Sequence, residues 1–161
     1  MKASEYIKQH GDFEITEAIE KCIPHKPKTV WDLKKGDTCY YADIYNKAKE
    51  SKWNNDNSFK SMRSIGIVTL TAEELEFKIE KMKVYEELKR FAKDFTDEEW
   101  KDNEIEKYFI YYDYALNKIE ISFNFRIKCF ELYFESKENA QKAITAVGEE
   151  RVKKYYLGVG K

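Results

Sequence analysis

The most regular pattern in the chain lies near its middle. Ile119, Ile121, Phe123, Phe125 and Ile127 alternate with Glu120, Ser122, Asn124 and Arg126. A period of two predicts a strand that buries one face. Lys107 to Tyr114 reads as the strand before it, with Leu116-Asn117-Lys118 as the turn. Phe130, Leu132 and Phe134 alternate in the same way and predict a third strand. The period then changes. Ser136 is placed to cap a helix whose apolar residues Ala140, Ala143, Ile144 and Val147 fall at i, i+3, i+4 and i+7. Gly148 ends or kinks that helix, and 149–156 adds a final helical turn or two.

The preceding half shows a similar order. After the turn Lys35-Gly36-Asp37 comes a strand from Thr38 to Tyr45. A polar reversal over Asn46–Ser51 leads to a second strand around Trp53, and Asn54 to Asn57 marks a loop. Ile65, Ile67 and Thr69 line one face of a third strand. Thr71 with Glu74 fits a capping box, so a helix is expected to start there. Its stripe of Leu75, Ile79, Met82 and Tyr85, widened by Phe77, Val84, Leu88 and Phe91, carries it to near Asp94. Thr96 with Glu99 repeats the box for one short turn ending near Trp100.

A shift of 65 positions lays Ile65, Ile67, Thr69, Thr71, Leu75, Ile79 and Met82 onto Phe130, Leu132, Phe134, Ser136, Ala140, Ile144 and Val147. Each pair keeps one expected role: inward strand position, cap, or inward helix position. The expected class is therefore α+β, with two tandem β-β-β-α units sharing a core and helices on one face of antiparallel sheet. The sharing follows because a lone three-stranded sheet with one helix buries too little surface. Coincidence is the competing account, since strands followed by amphipathic helices resemble one another generically. Residues 31–161 are read as a single domain with pseudo-repeats at about 31–94 and 105–161. Residues 1–30 are read as a short N-terminal helical arm: Ser4–Gln9 stopped by Gly11, a second brief helix from Thr16 to Cys22, then extended chain at Pro24 and Pro27.

Composition narrows the function. The 161 residues are 42% hydrophobic and 16% aromatic, with 6 Gly and 2 Pro, which excludes disordered and collagen-like chains. No apolar run spans a bilayer and no secretory leader opens the chain, so a cytoplasmic protein with no membrane partner is expected. Cys22, Cys39 and Cys129 make no CxxC pair and fit reduced thiols. His10 and His25 sit in the arm, far from any candidate nucleophile. The glycines are too scattered for a phosphate-binding loop, and no metal-ligand spacing occurs. No catalytic residues, metal site, cofactor or small-molecule substrate are assigned, and the chain is not expected to be an enzyme.

Two binding chemistries stand out. Residues 94–106 hold Asp94, Asp97, Glu98, Glu99, Asp102, Glu104 and Glu106 against Lys101 alone. Acids in a first helical turn favour the dipole's positive end, so a solvated helix start explains them. Trp100 within the run suggests more, because an aromatic among charges is typical of a binding hot spot. Asp97, Glu98, Glu99, Trp100 and Asp102 are the candidate protein-binding residues. The alternative is nucleic-acid binding through Lys47, Lys49, Lys52, Trp53, Lys60 and Arg63 on the strands of the first unit. Residues 53–77, from Trp53 through Arg63 to IGIVTLTAEEL, resemble the three-strand-plus-helix DNA-binding module of the plant ethylene-response type. Tyr41, Tyr45, Tyr111 and Tyr133 could stack on bases, or simply cover a sheet face with wet hydroxyls. The net charge of −1 argues against binding through bulk charge.

Over nearly everything after residue 28 the chain resembles a family of small accessory proteins of Firmicutes phages and prophages. The resemblance is carried by KTVWDLKKGDTCYY (28–41), WNND (53–56), RSIGIVTLTAEELEF (63–77), LKRFAKDFTDEEW (88–100), KYFIYYD (107–113) and YFESKENAQKAITAVGEERVKKYYLGV (133–159). It implies no catalytic residues. It implies a context, in which compact proteins bind and block a host or defence factor, anti-CRISPR proteins among them. The expected function is a non-catalytic binding protein of this kind, working on a host or defence protein in the host cytoplasm.

Overall fold

The computed structural model describes residues 28–160, an α+β arrangement of antiparallel strands and helices. The expected arm falls almost wholly outside the described residues, together with His10, Cys22 and His25. The chain divides into two compact units, one ending at Ala72 and the other starting at Glu73.

In the first unit, β1 (Thr38–Ala42) pairs antiparallel with β2 (Ala48–Lys52) and with β3 (Val68–Thr69), giving the order β2-β1-β3. The β1–β2 reversal is closed by Asp43, whose Oδ1 accepts from the backbone N–H groups of Tyr45 and Lys47 at 2.8 and 2.9 Å. Asn46 takes the left-handed conformation there (φ 56°), which asparagine tolerates. The reversal thus lies earlier than expected, and β2 ends just before Trp53. Backbone bonds of Trp53 to Gly36 and Asp37, each 2.8 Å, then carry the indole inward. A helix that was not expected, α1 (Asn57–Ser64), fills the stretch between the expected loop and third strand; Asp56 caps it by accepting from Phe59 N at 2.8 Å. The polar run Asn54–Asn57 is therefore a helix entry, and Ile65 is the exposed residue that ends the helix. Leu33, Cys39, Trp53 and Val68 form the buried cluster, with Phe59 and Met62 of α1 packed on it.

The second unit opens on α2 (Ala72–Lys89), whose first residue is the last of the first unit, and continues through the single-turn α3 (Asp97–Lys101). β4 (Lys107–Asp113) and β5 (Lys118–Asn124) pair over seven residues, from Lys107↔Asn124 to Asp113↔Lys118. Their turn repeats the chemistry of the first hairpin: Asp113 Oδ1 accepts from Ala115 N and Leu116 N, and Asn117 is left-handed (φ 53°). The expected third strand is a single bridge, Tyr108↔Phe134. α4 (Lys137–Val147) is capped by Ser136 and ended by Gly148 at φ 95°. Three further helical residues, Glu149–Arg151, lead into a π-helical turn at Val152–Tyr156.

Tyr108, Ile110, Ile119 and Ile121 alternate along β4 and β5 onto one face. There they meet Leu132, Phe134, Val84, Leu88 and the four buried residues of α4, Ala140, Ala143, Ile144 and Val147. One buried cluster is thus formed by residues of the second unit and another by residues of the first. The inserted α1 supplies the first sheet with its own apolar cover, and α2 falls in the second unit. The 65-residue correspondence holds where both members are buried, at Thr69 and Phe134, Leu75 and Ala140, and Ile79 and Ile144. It fails at its ends, where Ile65 and Met82 are 69% and 58% exposed.

Candidate protein-binding surface

The acidic segment is held in place by four devices, all within the second unit. Thr96 caps α3: its hydroxyl accepts from Glu99 N, and the Glu99 carboxylate accepts from Thr96 N at 2.8 Å. Glu99 also meets Lys93 Nζ at 2.9 Å. The backbone N–H of Thr96 and the Lys93 ammonium hold its carboxyl below the usual carboxylate range. Trp100 is the second device. Its ring stands edge-on to Tyr133 at 4.9 Å and to Phe95 at 6.0 Å.

Lys107 is the third. It is fully buried, and its Nζ donates to the carbonyls of Asp102, Ile105 and Phe125 at 2.8–2.9 Å. Three donors and three acceptors satisfy the ammonium without a carboxylate. Its charge lies 5.5 Å from the centre of the Trp100 ring. The loop after α3 is thereby tied to the end of β5. The fourth device is the buried hydroxyl of Tyr133. It accepts from Cys129 N (2.8 Å) and Phe130 N (3.1 Å), and donates to Ile127 O (3.0 Å). Residues 127–130 are folded around that oxygen, which is why the expected strand there is irregular. Phe130 stacks on Phe109 at 4.1 Å.

Of the predicted protein-binding residues, Asp97, Glu98 and Asp102 are exposed, Trp100 is half-buried, and Glu99 is spent on the cap and on Lys93. Trp100 stands between two hollows. One, of about 280 Å³, is lined by Lys93, Phe95, Lys128, Glu131 and Tyr133 among others; the second, about 550 Å³ and open, is lined by Asp97, Lys101 and Arg126. Sequence reasoning missed buried Lys107 and Tyr133 as supports of this surface, and Lys128 as one of its lining residues. A lysine opening an apolar-aromatic strand was the available signal for the first.

Of the predicted nucleic-acid residues, Trp53 and Arg63 are brought together, with the guanidinium over the indole. Lys49 and Lys52 have opposite parity on β2 and point to opposite faces. Lys49 meets Asp43 at 3.5 Å and Lys52 donates to Thr38 Oγ1 at 2.7 Å. Trp53 is 1% exposed and unavailable to a base. The Arg63 guanidinium is held 4.6 and 4.8 Å from the rings of Trp31 and Trp53 and donates to Val30 O. Lys47 lies in the reversal, and Lys60 is exposed on α1. Of the tyrosines, Tyr45 is exposed at the hairpin tip, Tyr41 and Tyr111 are half-buried, and Tyr133 is buried.

Among the described residues no cluster of His, Cys, Asp and Glu could hold a metal ion, and no helix is long and apolar enough to cross a membrane. Cys39 is buried, and burial pushes its thiol pKa up, away from nucleophilic use. No protein-family model, curated protein or solved structure matches this chain.

Proposed function

We propose that this chain is a non-catalytic accessory protein of the phage type that acts by occupying a surface on a host or defence protein. The observation that carries the reading is the fixed presentation of Asp97, Glu98 and Asp102 around half-buried Trp100. A segment already ordered by a capping box, a buried lysine and a buried tyrosine loses little freedom when a partner binds it. Exposed carboxylates beside an indole suit a basic protein surface, with charge steering the approach and the ring supplying the anchor. The resemblance to small phage and prophage proteins supports the biological setting.

The test leaves the frame intact. Asp97→Lys together with Glu98→Lys reverses two exposed charges while sparing Thr96, Glu99 and Lys107. The doubly substituted protein is expected to fold with an unchanged circular dichroism spectrum and to lose capture of its partner from host lysate. Undiminished capture by this variant excludes the acidic patch as the contact.

A further inference from the structure

β5 is an edge: among the described residues it pairs only with β4. Such an edge, when long and apolar, is a template for another strand. Just where the pattern predicted burial, the structure leaves side chains open. Phe123, Phe125 and Ile127 are 43%, 37% and 66% exposed, against the expectation that this whole face is covered. Phe123 already packs on Tyr108 at 5.5 Å and on Phe125 at 5.4 Å, so the open rings continue the cluster's own apolar row.

We infer that the occupant of this edge is a second copy of the chain, paired antiparallel through a twofold axis at Phe123. The sequence around that residue matches itself when reversed. Apolar residues lie at equal distances on either side, Ile121 with Phe125 and Ile119 with Ile127, and the charges are antisymmetric, Glu120 on one side and Arg126 on the other. Reversal about Phe123 sets Phe123 against its own copy, Ser122 against Asn124, and Glu120 against Arg126, twice. Opposite charges directly across an antiparallel pair attract, and aromatic pairs add to that. The next charges outward, Lys118 and Lys128, are alike and lie beyond the paired stretch 119–127, whereas an axis moved to Ser122 loses both Glu120–Arg126 pairs and sets Lys118 against Arg126. The axis at Phe123 stands perpendicular to the sheet, so both apolar faces stay on one side and form one surface. Pairing extends β5 past Asn124 through Ile127, and Arg126 exchanges its bond to the Asn103 side chain for Glu120 of the second copy.

Light scattering and sedimentation over a dilution series of the full chain are expected to show a reversible dimer. In a chain with Cys22 and Cys129 changed to Ser, Phe123→Cys is expected to cross-link on oxidation and Ile119→Cys is not, since position 119 faces 127 across the axis. Glu120→Arg alone or Arg126→Glu alone should weaken association roughly tenfold by converting two attractive pairs into repulsive ones. The double variant should restore it, which separates charge pairing from damage to the fold. A chain that stays monomeric at every concentration overturns the inference, as does a double variant no better than the singles, or cross-linking at 119 in place of 123.

Discussion

Lys107 shows how one residue can fix a surface it does not belong to. Its ammonium is surrounded by the carbonyls of Asp102, Ile105 and Phe125, three oxygens from two separate stretches of chain. Lys107→Met keeps the stem and leaves those oxygens without a donor in a buried site. It is expected to cost roughly 3 kcal/mol in denaturant unfolding, and to weaken partner capture by loosening 102–106. Arg151 plays a comparable part elsewhere in the second unit. It donates to Glu80 at 2.7 Å and Glu87 at 2.8 Å, tying α2 to the C-terminal helical turn. Hydrogen bonds from the guanidinium hold both carboxyls below their ordinary range. A depressed folded pKa gives stability that is present above the unfolded glutamate value and lost as pH falls through the folded one. All three side chains are between a quarter and two-fifths exposed, so solvent screening reduces the effect. Arg151→Ala is expected to cost about 1 kcal/mol at neutral pH. Its stability should also fall less than that of the parent on acidification below pH about 4. A parallel pair of stability–pH curves would contradict this.

At the scale of elements, caps were the most legible signals. Thr96 with Glu99 and Ser136 each open the helix that their spacing predicts, because a cap is satisfied within four residues and needs no distant partner. Thr96→Ala is expected to cost about 1 kcal/mol, and to expose 97–101 to faster hydrogen exchange. Protection unchanged at these amides would mean that packing of Trp100 holds the turn by itself. The four inward residues of α4 were also legible, since helical spacing alone selects them. Failures came where long-range contacts decide. The run 65–70 has strand character, yet Ile65 and Gly66 form the turn that ends α1 and only Val68–Thr69 pair with β1. Phe130, Leu132 and Phe134 alternate like a strand, yet the Tyr133 hydroxyl gathers the backbone of 127–130 into a loop. The alternation of 119–127 located a strand that ends at Asn124, short of the expected Ile127, and overstated its burial. A period of two says which residues share a face and says nothing of what covers it.

For the whole molecule, the α+β class was visible in the alternation of periods along the chain. The boundary at Ala72 places nearly all of α2 in the second unit, and each unit holds a buried cluster of its own residues. The two hairpins share their turn chemistry, each closed by an aspartate and a left-handed asparagine, and buried positions match in the stretches that follow. The candidate site was half legible. Its charges and its tryptophan stand out in sequence, whereas the residues that fix them, Lys107 and Tyr133, became visible only once strands and loop were in place. The predicted basic set shows the converse. Lysines close in sequence were counted together, and strand parity sends them to opposite faces.

The most direct measurement of the account is capture from host lysate by the immobilised full chain, run with and without nuclease and analysed for protein. A binding protein of the proposed kind retains the same partner after nuclease treatment and loses it when Asp97 and Glu98 are reversed. A partner that vanishes with nuclease, and is instead lost on changing Lys47, Lys49 and Lys60 to Glu, would contradict it.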